Sequence, residues 1–137
     1  MHTAPSSSNS RLDIAVMDRN PHVREFLCRE LSALGFAVGA LPNSGSLLLA
    51  LRCPRPPRVV VFDPEAAGAS LAEVVQDLRE HSGQIAVVLH VFEGEEPLPG
   101  LPEAVLVEKR PDMRTLKAAL AAIAGKTAVR PERGDEA

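Results

Sequence analysis

Two carboxylates, an imidazole and an ammonium group stand at or near the ends of four separate apolar runs in this 137-residue chain. Asp18 follows residues 14–17, Asp63 follows residues 59–62, His90 lies near the end of residues 85–91, and Lys109 comes just after residues 104–107. Any one of them alone would simply mark where a strand meets water. Brought together at one point, two acids and a cation would ionise as a coupled set, each charge partly offsetting another. Whether they can meet depends on the elements that carry them.

Those elements alternate between two periods. Residues 14–17 are apolar, and Asn20-Pro21 then supplies a helix cap and a proline suited to the first helical turn. Val23, Phe26, Leu27, Leu31 and Leu34 recur at helical spacing until Gly35. Residues 36–41 form a weaker strand candidate. A helix is expected over residues 46–52, closed by Pro54, Pro56 and Pro57. After the β-branched run 59–62, Leu71, Val74, Val75 and Leu78 make one stripe of a helix. Residues 85–91 and 104–107 are further strands. Between them, residues 93–102 hold three prolines and two glycines, which argues against a regular helix. Pro111 opens a last helix with Leu116, Ala119, Leu120 and Ile123 on one face.

The order β-α-β-α-β-α-β-loop-β-α predicts an α/β fold with right-handed crossovers, an open parallel sheet and helices on both sides. Apolar runs without alternation fit strands buried on both faces. In such sheets the functional crevice lies beyond the carboxyl ends of the strands, and that rule selects Asp18, Asp63, His90 and Lys109.

Composition narrows the function. With 15 Lys+Arg against 18 Asp+Glu the formal charge is −3, so no basic face is expected to hold nucleic acid. There is no Trp or Tyr and only four Phe, so no platform for stacked bases is expected. The longest nearly unbroken apolar run, residues 85–92, falls far short of the ~20 residues of a membrane span. Residues 1–10 are polar and Ser-rich, with no apolar core of a secretory signal. Cys28 and Cys53 form no disulfide framework; Cys28 is expected to pack at a helix boundary, and Cys53, although beside Arg52 and Arg55, to be an inert thiol. His22 and His81 are expected to face solvent on helices, and the four histidines have no zinc spacing. These features describe a cytoplasmic domain over residues 11–124, with an N-terminal tail (1–10) and a charged C-terminal tail or linker (125–137).

The ordered set of residues resembles the response-regulator receiver domains of two-component signalling. The resemblance runs from about Leu12 to Ala124. Met17-Asp18-Arg19-Asn20-Pro21-His22-Val23-Arg24 is similar to the family's acidic strand end with its following proline and arginine. Val59-Val60-Val61-Phe62-Asp63 is similar to its third strand and phospho-accepting aspartate. Val74, Leu78 and Arg79 match the apolar pair and arginine of the third helix. Lys109 matches the family's lysine, with Leu116 seven positions on. The resemblance implies a three-layer, five-stranded sheet in the order 2-1-3-4-5, with the fourth helix shortened or missing. It further implies Asp63 as phosphoacceptor, Asp18 as pocket acid and Lys109 as the cation that binds phosphoryl oxygens. Magnesium, if bound, would be held by Asp18, Asp63 and the backbone carbonyl of Glu65.

Two departures bear on that chemistry. Arg19 stands where the family has its second acid, the principal magnesium ligand, and a guanidinium cannot ligate a cation. His90 stands where the family has Ser or Thr, and its ring would narrow the phosphoryl pocket. Asp63 is also followed by Pro64-Glu65 rather than the family's methionine-proline pair. The first expectation is therefore a pseudo-receiver, not an enzyme, with no resident cofactor and magnesium binding weakened by Arg19. Its expected partners are proteins: a histidine kinase, another regulator, an output protein or a second copy of itself. Two alternatives stand beside it: a working regulator phosphorylated on Asp63, and a flavodoxin-like domain that binds a small ligand at the same crevice.

Overall fold

In the computed structural model, residues 11–94, 98–101 and 103–136 are described. The strands are β1 (Ile14–Met17), β2 (Val38–Leu41), β3 (Val59–Phe62), β4 (Ala86–Val91) and β5 (Val105–Glu108). The helices are α1 (Pro21–Ala33), α2 (Ser44–Leu51), α3 (Leu71–Glu80) and α4 (Arg114–Glu136), with a short helical turn at Pro64–Ala67 and a 3-10 turn at Gly68–Ser70. All strand pairs are parallel and the order is β2-β1-β3-β4-β5, as expected.

The sheet separates two apolar layers because successive side chains point to opposite faces. Ala15, Met17, Val60, Phe62 and Leu89 pack with Leu47, Leu51, Val74 and Leu78 of α2 and α3. Ile14, Val16, Val59, Val61 and Val88 pack with Leu27 and Leu31 of α1 and Leu116 and Leu120 of α4. Every residue of β1 and β3 is buried, which explains why their sequences show no polar alternation. Arg52 at the end of α2 ties the α2–α3 layer together, holding Asp77 at 2.6 Å and Glu73 at 2.8 Å on α3.

Local chemistry sets the helix ends. Asn20 accepts the His22 N–H and Pro21 occupies the first turn of α1. At its far end Gly35 takes φ +100, and the Phe36 N–H reaches back to the Leu31 carbonyl. That closure takes up the backbone of Phe36, so the strand expected over residues 36–41 begins only at Val38. Asn43 caps α2, which starts two residues before its expected position. The helical turn at Pro64 was absent from the periodicity reading; it forms because Asp63 accepts the Glu65 N–H ahead of a proline.

The largest difference lies at the C-terminus. The last helix was expected to give way to a tail at residue 125, but its backbone remains helical to Glu136. The alanine-rich stretch 118–124 nucleates the helix strongly, and extension costs far less than nucleation. Between β4 and β5 none of the described residues is helical. Leu101 is buried in the α2–α3 layer, and Gly100, at φ +90, lies so close to α3 that a Cβ would come within 3.2 Å of Val75 and Arg79. No helix is long and apolar enough to cross a membrane among the described residues.

Candidate functional site

Sheet register brings the four strand-end residues together. β1 and β3 are neighbours with Met17 beside Phe62, so Asp18 and Asp63 leave the sheet side by side. The Asp63 N–H bonds to the Met17 carbonyl at 3.1 Å, fixing this step. In β4, His90 lies level with Val107 of β5, and the Lys109 N–H bonds to the Val91 carbonyl. Asp18, Asp63 and His90 are all nearly inaccessible to solvent, at 3%, 2% and 3% exposure. Buried charges of this kind need partners, because burial otherwise costs several kcal/mol per ion (~3–5).

Each carboxylate has its own set of donors. Asp63 Oδ1 accepts the Glu65 N–H at 3.0 Å, while Oδ2 receives both Lys109 Nζ at 2.6 Å and Arg19 Nε at 3.2 Å. Arg19 then bridges outward through Nη2 to Glu65 Oε1. Asp18 Oδ1 accepts the Asn20 N–H at 2.9 Å, and Oδ2 lies 3.1 Å from His90 Nδ1. An ionised carboxylate only accepts, so the His90 ring donates from Nδ1. Arg24 Nη1 clasps the Asp18 carbonyl at 2.6 Å and steadies the turn that carries Arg19.

The electrostatics follow from these contacts. Burial by itself raises the Asp18 carboxyl, but the bonds from His90 and the Asn20 N–H, together with the attraction of His90 and Lys109, outweigh it. The group is held below its ordinary value of 3.8. The Asp63 charge, followed by Glu65, holds the Arg19 guanidinium more firmly protonated than usual. A depressed folded-state pKa gives stability that is present above the unfolded value and lost as pH falls through the folded one. Asp18→Asn is therefore expected to cost ~1.5–3 kcal/mol at pH 7, the range for hydrogen bonds to a charged group. The gap to the unsubstituted protein should narrow below about pH 4, measured by urea unfolding at both pH values. A gap independent of pH would show that the Asp18 charge contributes nothing.

The structure thus joins all five residues singled out in the sequence: Asp18, Arg19, Asp63, His90 and Lys109. It adds side-chain roles for three more residues that sequence reasoning did not assign. Glu65, considered there only for its carbonyl, contributes its side chain as the outer partner of Arg19. Arg24 holds the β1–α1 turn. Phe92 stacks on Lys109, with the ammonium 4.5 Å from the ring centroid. Only Asp63-Pro64-Glu65 carried a local signal, that of a capped first helical turn.

The remaining candidates lie elsewhere. Cys28 is half-buried and its thiol is pushed up by burial, as befits a packing residue. Cys53 is exposed, and its Sγ donates to the Ala50 carbonyl at 3.3 Å. His22 is exposed, but His81, expected in solvent, is half-buried with Nδ1 against the Asp77 carbonyl at 2.9 Å, where it closes α3. Among the described residues no group of three or more His, Cys, Asp and Glu is placed to hold a metal ion.

No family model matches the chain. A 90-residue stretch, 66% of the chain, is 29% identical to the C4-dicarboxylate transport transcriptional regulatory protein DctD of Pseudomonas aeruginosa; it spans 19% of that protein's length. Among solved structures, the response regulator protein TrrA of Thermotoga maritima in complex with Mg(2+)-BeF superposes with a TM-score of 0.66 at 23% identity, over 80% of this chain and 96% of that one. A CheY-like response regulator receiver domain protein of Methanospirillum hungatei gives 0.69 at 19% identity, over 86% and 98%. NtrX of Brucella abortus gives 0.67 at 20% identity, over 92% of this chain and 29% of that one. The chain has the flavodoxin-like fold of response-regulator receiver domains, with its buried acids at the sheet edge where strand-end chemistry is expected.

Proposed function

We propose that this chain is a receiver module of two-component signalling that acts by protein–protein interaction, with phosphorylation of Asp63 impaired. The observation that carries this reading is the double claim on Asp63 Oδ2, which accepts from Lys109 and Arg19 together. An incoming phosphoryl donor would have to displace Arg19 from the oxygen that attacks it, and Arg19 is itself anchored by Glu65. The donor set also does not fit magnesium. A divalent cation wants several oxygens around one point, whereas here a guanidinium faces one carboxylate and an imidazole the other. Arg19 supplies in a permanent form the positive charge that a metal would bring.

His90 supports the same reading. Its ring fills the space beside Asp18 where a hydroxyl would leave room for phosphoryl oxygens. On this account the module is a binding protein rather than an enzyme, and its partner is a histidine kinase, another regulator or an output protein. The place of DctD in transport gene regulation belongs to that relative, and here it suggests only a signalling context.

The test is intact mass after incubation with acetyl phosphate or phosphoramidate, with and without magnesium. The expected result is no added phosphoryl group under any of these conditions. One added group that disappears in Asp63→Asn would overturn the reading and make the chain a working phosphoacceptor.

A further inference from the structure

We infer that the N-terminal end of the sheet carries a phosphate-binding site built on Arg11, Arg55 and Arg58, at the opposite end of the strands from Asp63. The ligand is a phosphate group, either free inorganic phosphate or the end of a small phosphorylated molecule. This goes beyond the signalling reading and does not depend on it.

Sheet register builds the site. Ile14 of β1 lies level with Val59 of β3, and Arg11 and Arg58 stand just ahead of these two strands. The Arg58 N–H bonds to the Leu12 carbonyl at 3.2 Å and the Val59 N–H to the Asp13 carbonyl at 2.9 Å, so the two segments run side by side into the sheet. Arg55 enters from the α2–β3 connection, where Pro54, Pro56 and Pro57 restrict the backbone and the last two are buried. The cations are thus held together before any ligand arrives, which lowers the cost of binding one.

Arg11 is the member that needs a partner. Its Nε is buried and meets no acceptor, although the residue as a whole is only half-buried. An orphaned buried donor is rare in a native structure, and a bound anion is one of its ordinary explanations. Burial, then the like charges of Arg58 and Arg55, press the Arg11 guanidinium below its ordinary value, and Cys53 pulls the other way. Asp13, the acid two residues on, is engaged by Arg58 at 3.5 Å and by the Ala37 N–H at 2.8 Å. Residues 1–10 contain no acid that could take its place beside Arg11. Arg55 and Arg58 have further contacts within the chain, so their part is to add positive field while Arg11 supplies the open donor. Phosphate suits such a site better than a carboxylate does. Its tetrahedral oxygens accept from donors on separate segments, and its second charge answers more than one guanidinium.

NMR spectra of the backbone amides and arginine Nε–H groups, recorded on the full chain during titration with inorganic phosphate at constant ionic strength, test this. The Arg11 Nε–H signal and the amides of Leu12, Asp13 and Arg58 should shift together and saturate below about 10 mM, as a weak specific site requires. The amides of Asn20, Glu65 and Lys109 should stay in place, which separates this site from the Asp63 pocket. Arg11→Gln should weaken binding about tenfold and Arg55→Gln about threefold, while Arg114→Gln at the start of α4 should leave it unchanged. Arg55 is exposed, so its variant keeps the test sharp if Arg11→Gln fails to fold. Adenosine monophosphate separates the two sources: tighter binding than inorganic phosphate assigns the site to a small phosphorylated molecule, equal or weaker binding to free phosphate. Shifts that do not saturate, that centre on Lys109, or that persist undiminished in both Arg11→Gln and Arg55→Gln overturn the inference.

Discussion

Replacing Lys109 by methionine will lower the unfolding free energy by ~2–3 kcal/mol, below the full cost of orphaning a buried charge because Arg19 remains. Lys109 Nζ sits 2.6 Å from an almost fully buried carboxylate oxygen, and Phe92 shields the pair from water. Methionine keeps the apolar stem but leaves Asp63 with only the longer contact to a half-exposed guanidinium. A urea titration will show the effect as a lower midpoint with an unchanged slope. Adding Asp63→Asn removes the stranded charge, so the double variant should regain stability over Lys109→Met alone. A loss below about 0.5 kcal/mol in Lys109→Met would mean the pair behaves as a solvated surface contact.

Arg19→Asp will have the largest effect on behaviour, by converting the site from a self-neutralised cluster to one that needs an outside cation. Without Arg19, the buried acids Asp18 and Asp63 face a third carboxylate, and Glu65 loses its partner. Like charges at this separation disfavour one another, so the variant should melt below the unsubstituted protein in metal-free buffer. Three acids and a backbone carbonyl form the oxygen set that magnesium prefers. At a magnesium concentration ten times its dissociation constant, the variant's melting midpoint should rise by about 3–6 °C. The unsubstituted protein should show no such rise. Failure of the variant to respond would mean the carboxylates do not converge once Arg19 is gone.

These two results separate the roles of the cations. Lys109 is three-quarters or more shielded and holds Asp63 in place, so its removal is felt in stability. Arg19 is half-exposed and bridges Asp63 to Glu65, so its removal is felt in what the site can bind. Together with the phosphodonor mass test they distinguish a silent receiver from one whose pocket is merely unusual.

Much of the architecture was legible because it is written in local periods. Apolar runs without alternation gave β1 and β3, and the stripe Leu71, Val74, Val75, Leu78 gave α3, since burial on two faces or one leaves a direct mark on the residue order. Asp18, Asp63, His90 and Lys109 could be named as site residues for the same reason, each standing where an apolar run ends. Composition marks the residues beyond 124 as a charged tail or linker, but it carries no sign that the backbone there continues α4 to Glu136, because extending a helix already formed costs little.

What no local pattern could decide is which charge pairs with which. Asp18 and Asp63 are neighbours because β1 and β3 lie side by side, and within that cluster Arg19 chose Asp63 while His90 chose Asp18. Those choices depend on side-chain reach from strands distant in sequence. The contact of Phe92 with Lys109 likewise exists only because β4 and β5 run level with each other. The chain determined its strands, its helices and the residues at their ends by hydrophobic period and capping chemistry. The tertiary structure alone decided that Asp63 is neutralised twice over, because ion pairing in a buried site is set by distance in space and not by distance along the chain.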